Sequence, residues 1–421
     1  MTGNGPVYTE LHLLAADFPP VGLFCDGRVL PAHCPQAPVR QSYPRSRDSH
    51  DSLQTVALPE MIGASYWKRK PDDDKVIINC VVRPKERVFF MVKQVWNDPD
   101  VYCIEVDLPQ NPLHNLNVYV ICTPERNLVI DTGFCRLECR EALWSGIREL
   151  GLNLSRTALF LTHLHSDHTG LVWDFVDRNI PVYMGRIDLG YLSGPHQMDH
   201  LALLEGMFGL EGFPPEYLAL QSTENQGRIY APKPGFPAIP LSNGDKIPLG
   251  GLDVTVLHTP GHTPGHMVLY LPREQLLFSG DHILFDITPN ISVWHQVPHS
   301  LEDYFDSLGM IRTLPIRATF PAHRSTEGDA HQRVKELLVH HAQRLVEIYQ
   351  AVAAHPNSTA YQIAGMIKWS ARGRNWGEFP SHQRWFAMAE TLAHLYYLVE
   401  KDKVCRTQQS SRILYYIKAP L

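Results

Sequence analysis

Four side chains able to ligate a metal crowd into the six residues 163–168 of the segment LTHLHSDHTG: His163, His165, Asp167 and His168. They follow the apolar run TALFLT, which reads as a strand, and a strand opening into a tight loop sends alternate side chains to different sides. The spacing therefore suits two adjacent metal positions rather than one. Imidazole nitrogen and carboxylate oxygen are the donors zinc takes at about 2.0–2.2 Å. On its own, the segment also reads as a polar surface loop. Further candidates recur at the ends of later strands: His262 after LDVTVLHTPG, Asp281 in LLFSGDH and His323 in ATFPAHRS. Such a donor set suits hydrolysis. Two divalent ions about 3.5–4 Å apart share a water, lower its pKa and stabilise charge developing on a substrate oxygen. A metal-bridging hydroxide is then the expected nucleophile, with Asp167 placed as catalytic residue to orient it or accept its proton.

The segment LHTPGHTPGH sets a trap, because His258, His262 and His266 are spaced four residues apart, as on one helix face. Pro260 and Pro264 interrupt it, and a proline inside a helix costs about 3 kcal/mol or more. A turn between the strands LDVTVL and HMVLYLP is expected instead. His262 is the candidate ligand, while His258 and His266 brace the turn.

The chain has 421 residues, a formal net charge of −6 and 19% charged residues, so it carries no global basic field of the kind nucleic-acid binding usually shows. Its 8 cysteines lack the dense spacing of a disulfide scaffold. No long apolar run suggests a membrane span, and the start lacks a signal-peptide pattern, which points to a reduced, cytoplasmic protein. Residues 1–90, with the Pro/Arg/Ser-rich CPQAPVRQSYPRSRDSH, are expected to be a disordered extension. Met91 is a natural start for the α/β pattern, which raises the alternative of a start-site over-call. Short strands alternate with helices from about residue 100 to 330: NVYVICT, NLVIDTG and TALFLTH are strands, RLECREALWSGIRELGL is a helix stopped by Gly151, and SLEDYFDSLGMI opens with Ser300 and Asp303 in capping-box spacing. Polar residues at the strand ends place a site on one rim.

The motif set resembles the metallo-β-lactamase fold superfamily: HxHxDH at 163–168, TPGHT at 259–263, the SGD aspartate at 281, the late histidine at 323 and IDTG at 130–133. The resemblance covers roughly residues 100–330 and implies an α+β protein with an αββα sandwich. It implies that His163, His165 and His262 bind one metal, that Asp167, His168 and His323 bind a second, and that Asp281 bridges both. The two divalent ions are expected to be Zn2+, with Fe or Mn as alternatives. Asp131 would orient a ligand without touching metal. Ala322 stands before His323 where many relatives have glycine. An aspartate at the bridging position resembles the glyoxalase II, lactonase and nuclease side of the superfamily, and the glyoxalase II-like branch implies activity like that of a hydroxyacylglutathione hydrolase. The expected function is hydrolysis of a small ester-type substrate, a thioester or lactone, with a metal-dependent endoribonuclease as the alternative.

The expected domains are a catalytic domain at 91–330, a linking helix at 331–354 and a winged-helix domain at 355–421. Helix, helix, helix and hairpin is the winged-helix order, and FPSHQRWFAMAETLAHLYYLVEKDKV resembles the domain that follows one branch of these hydrolases. Basic residues including Lys368, Arg372, Arg374, Arg384, Lys401 and Arg406 keep nucleic acid open as a partner. Trp385, Phe386, Met388, Leu392, Leu395 and Tyr396 make its third helix apolar, so a homodimer interface or a wall of the cleft is expected over a groove reader. The insert MDHLALLEGMFGLEGFPPEYLAL reads as an apolar cap for an acyl or aromatic group, or as ordinary core.

Overall fold

The computed structural model describes residues 92–193, 200–294, 297, 299–369 and 375–418. The expected extension at 1–90 and the basic residues Arg372 and Arg374 lie outside the described residues.

Two sheets face each other. The first comprises β1 (Val92–Asn97), β2 (Asp100–Asp107), β3 (Asn115–Cys122), β4 (Asn127–Ile130), β5 (Thr157–Leu161), β6 (Val182–Gly185) and β7 (Ile239–Leu241), in that spatial order. Pairing is antiparallel as far as β4 and parallel from β4 to β7. The second comprises β8 (Lys246–Leu249), β9 (Leu252–His258), β10 (Met267–Leu271), β11 (Leu276–Gly280) and β12 (Ala318–Pro321), ordered β12-β11-β10-β9-β8.

The period-two alternation of strands explains why the sheets stack. Along β3, Tyr119 and Ile121 point inward to meet Phe278 and Phe320 of the second sheet. Leu116, Val118 and Val120 point the other way, onto Leu143 and Ile147 of helix α1 (Leu137–Glu149). Each such burial is worth about 1.5–3 kcal/mol. Strand β10 does the same: Met267, Leu269 and Leu271 fill the inter-sheet core, while Val268 and Tyr270 face the helices behind. The layers are helix, sheet, sheet, helix.

After α1 come α2 (Ser166–Thr169), α3 (Val172–Val176), α4 (Arg186–Ser193), α5 (His200–Leu210), α6 (Pro215–Glu224), α7 (Gln226–Ile229), α8 (Ser300–Thr313), α9 (Ala330–Ala354), α10 (Ala360–Met366) and α11 (Ser381–Glu400). The hairpin β13 (Cys405–Gln409) and β14 (Arg412–Tyr416) follows. No helix among the described residues is long and apolar enough to cross a membrane.

Two local expectations change. Helix α8 starts at Ser300 with His299 as its N-cap and no side-chain capping bond, so the Ser300/Asp303 capping box does not form. The insert is core rather than a free cap. Leu204 and Phe208 of α5, with Phe213, are buried in the same cluster as Trp385, whose ring lies 4.3 Å from that of Phe208. The third C-terminal helix, α11, is itself largely buried in that cluster.

A buried carboxyl ties the insert to the hairpin. Glu211 is fully buried; one oxygen accepts the Tyr415 hydroxyl at 2.9 Å and the other has no hydrogen-bond partner. Burial pushes its pKa up from 4.5 to about 7, against the lowering pull of Tyr415 and Arg406.

Candidate metal centre

Every candidate ligand sits just beyond the end of a strand, on one rim of the sandwich. Strand β5 ends at Leu161 and releases His163, His165, Asp167 and His168; β9 leads to His262, β11 to Asp281 and β12 to His323. The loop 259–266 contains no helix, as its prolines require. His258 braces it by donating Nε2–H to the Pro264 carbonyl at 2.8 Å.

The structure brings all seven candidates together, in two groups. In the first, His165 Nδ1 lies 2.9 Å from His163 Nε2 and 3.0 Å from His262 Nε2. In the second, His323 Nε2 lies 3.3 Å from His168 Nε2 and 3.4 Å from Asp167 Oδ2. Asp281 stands between them: its Oδ1 is 3.3 Å from His323 Nε2 and 3.6 Å from His168 Nε2, and its Oδ2 is 3.5 Å from His262 Nε2.

The outer nitrogens of these rings are committed elsewhere, which fixes what the inner ones offer. His262 Nδ1 donates to the Asn290 carbonyl at 2.8 Å and His323 Nδ1 to the Asn115 carbonyl at 2.7 Å. His168 Nδ1 donates to Asp131 Oδ2 at 2.8 Å. In the neutral form that binds metal an imidazole carries one N–H, so Nε2 of all three would then present a bare lone pair to the centre. The His168 and His323 lone pairs face each other at 3.3 Å, and the buried Asp281 Oδ1 has no hydrogen-bond partner. Converging lone pairs and carboxylates repel unless a cation lies among them, so the donor set fits divalent ions.

Charge divides unevenly between the two groups. Burial lowers the pKa values of His163 and His165, the latter to about 3, and keeps these rings neutral. Burial acts the same way on His323, but Asp281 and Asp167 outweigh it and raise its pKa well above the ordinary value. Burial opposes the Asp281 charge, yet His323 and His168 hold that carboxyl well below the usual range.

Three supporting residues act through the ligands. Asp131, with φ of 64°, accepts Thr162 N–H at 2.9 Å on Oδ1 besides binding His168, so it orients the 163–168 loop as the motif implied. Sequence reading missed Asp188. Fully buried on α4, it accepts Leu164 N–H at 3.0 Å, the Thr263 hydroxyl at 2.6 Å and Gly265 N–H at 2.6 Å, which locks the 163–168 loop to the 259–266 loop. A Cβ on Gly265 would lie 2.3 Å from the Asp188 backbone nitrogen, so only glycine fits there. His266 accepts Asp281 N–H on Nε2 at 3.2 Å while Nδ1 donates to the Thr259 hydroxyl, and so holds the bridging position's backbone. His282 is fully buried, its ring 5.2 Å from that of Tyr304, and neither ring nitrogen has a hydrogen-bond partner.

Comparison with known proteins agrees with this architecture. Residues 112–323 match the family described as the metallo-beta-lactamase superfamily, and residues 345–419 match the metallo-beta-lactamase-like C-terminal domain. The chain belongs to the metallo-β-lactamase superfamily. A crystal structure of a metallo-beta-lactamase family protein from Thermus thermophilus superposes with TM-score 0.64 at 28% identity, covering 76% of this chain and 98% of that one. A beta-lactamase domain protein from Burkholderia ambifaria gives 0.65 at 25% identity, covering 78% and 94%. Among curated relatives, a lactamase-like protein of Aspergillus niger is 25% identical over 240 residues, 57% of this chain and 59% of that one. An atrochrysone carboxyl ACP thioesterase of Aspergillus fumigatus is 27% identical over 239 residues, 57% of this chain and 44% of that one. The matched part thus spans less than two thirds of either relative's length.

Proposed function

We propose that this chain is a dinuclear metal-dependent hydrolase of a small ester-type substrate, a thioester or lactone. The observation that carries the reading is Asp281, whose two oxygens each face a different histidine group. His163, His165 and His262 would hold one ion, Asp167, His168 and His323 the other, and Asp281 both. Zinc suits this nitrogen and oxygen set, and iron or manganese would also be accepted. When bound, such ions acidify a water and polarise the substrate carbonyl. The protein's part is to fix the ligands from behind through the Asp131 carboxylate and the Asn290 and Asn115 carbonyls. Asp167, whose side chain keeps 11% exposure at the centre, is placed to orient the attacking water or take its proton. Trp294 stacks on His165 at 6.1 Å, with Tyr191 5.8 Å from it, giving the centre an aromatic flank suited to an acyl or aromatic group. A relative named as an acyl-carrier-protein thioesterase supports the same bond type.

The endoribonuclease reading is weaker because α11, the helix a winged-helix module would present to a groove, is buried. Its Arg384 is spent on the Phe379 and Gly377 carbonyls and the Tyr361 hydroxyl, and Lys401 pairs with Glu302 at 2.9 Å. We read residues 355–421 as a winged-helix module serving as a wall beside the centre: the Phe386 carbonyl of α11 accepts from Asn290, the residue that holds His262. A panel of acyl thioesters, lactones and single-stranded RNA on metal-reconstituted protein tests the proposal across a salt series. Thioester or lactone cleavage should persist as salt rises, whereas RNA cleavage would collapse. Cleavage of RNA at physiological salt with the esters ignored would refute it.

A further inference from the structure

Helix α8 grips the loops of two candidate ligands from the side away from the centre. Gly261, next to His262, has φ of 136°, and a Cβ there would lie 2.5 Å from Tyr304 Cβ, so the loop backbone is pressed flat on that side chain. The Tyr304 hydroxyl donates to the carbonyl of His282, next to Asp281, at 2.9 Å. Three residues on, the Ser307 hydroxyl donates to the Pro260 carbonyl at 2.8 Å. Tyr304 is fully buried and has no route to substrate.

Behind Tyr304 stands a second set of histidines. The His341 ring of α9 meets the Tyr304 ring edge-on at 5.4 Å. His394 Nδ1 donates to the Glu390 carbonyl at 2.7 Å, which leaves its Nε2 to accept from His341 Nδ1 at 3.1 Å. An unbroken line of packed and hydrogen-bonded groups thus runs from α11 through α9 and α8 to the loops carrying His262 and Asp281.

We infer that Tyr304 is a positioning residue for the metal centre. Its ring and hydroxyl set the separation of His262 and Asp281, and the C-terminal helices hold it rigid. The inference rests on the reading of those two residues as metal ligands. Because these contacts of Tyr304 are with neighbours of the ligands, loosening it should show first in metal affinity.

The test is chelator competition with Zn2+ on wild type, Tyr304→Phe and Tyr415→Phe. Tyr415→Phe is a matched control, since it too removes a hydroxyl bond from a fully buried tyrosine, but one made to Glu211. Tyr304→Phe should weaken zinc binding about tenfold or more, while Tyr415→Phe stays within about twofold of wild type. Wild-type affinity in Tyr304→Phe, or a loss no greater than that of the control, overturns the inference. Should Tyr304→Phe not fold, Ser307→Ala must weaken binding in the same direction, and unchanged affinity there overturns it as well. A wild-type protein that binds no zinc would instead refute the ligand reading.

Discussion

Asp281→Ala is expected to lower bound metal and reduce turnover to background. The carboxylate is the group placed between the two histidine clusters, with Oδ1 3.3 Å from His323 Nε2 and Oδ2 3.5 Å from His262 Nε2. On the dinuclear reading, removing it would take away the shared negative charge and leave both ions a ligand short. The loop should stay in place, because Asp281 is anchored by its backbone N–H to His266 and its neighbour by Tyr304, neither of which involves the side chain. Elemental analysis and turnover, with circular dichroism to confirm folding, separate the outcomes. Wild-type metal content in a folded Asp281→Ala protein would remove Asp281 from the ligand set.

Glu211→Gln is expected to stabilise the protein at neutral and alkaline pH relative to wild type. Burial raises this carboxyl from 4.5 to about 7, so its contribution is fully present below pH 4.5 and is lost as pH rises through about 7. The displacement corresponds to roughly 3 kcal/mol once the group must ionise inside the fold. Tyr415, Tyr396 and Arg406 face it from the hairpin and α11, and Arg406 is the one positive charge among them. The amide cannot ionise, so its curve lacks this loss. Melting temperatures measured between about pH 5 and pH 8 should show the variant gaining on wild type as pH rises. A difference that stays flat over that range would show that Glu211 does not titrate there.

Much of the centre was legible because its chemistry is local. Four donors in residues 163–168 and single donors after three later strands announce a rim site, and two prolines dismiss the false helix of LHTPGHTPGH. The αββα layering was implied by the family resemblance, and strands such as Asn115–Cys122 carry it out, their two faces feeding two different cores. What stayed hidden depends on groups remote in sequence. Asp188 meets Thr263 and Gly265 across 75 and 77 residues, and nothing in the segment RIDLG distinguishes a buried carboxylate from a solvated one. Tyr304 looks like any aromatic on an amphipathic helix until Gly261 and His282 are folded against it. The insert was ambiguous for the same reason: a Leu, Met and Phe stripe reads equally as a lid or as core, and the position of Trp385 decides the matter. Apolar character did mark α11 as a buried helix, since a groove reader would not carry Trp385, Met388, Leu392 and Leu395 on its working face.

The central claim is that one rim, built from several loops, holds two ions and not one. The metal-to-protein ratio of reconstituted wild-type protein after removal of loosely bound metal tests it most directly. The donor arrangement predicts two ions per chain, one for each histidine group with Asp281 shared. A ratio of one, or none, would contradict it.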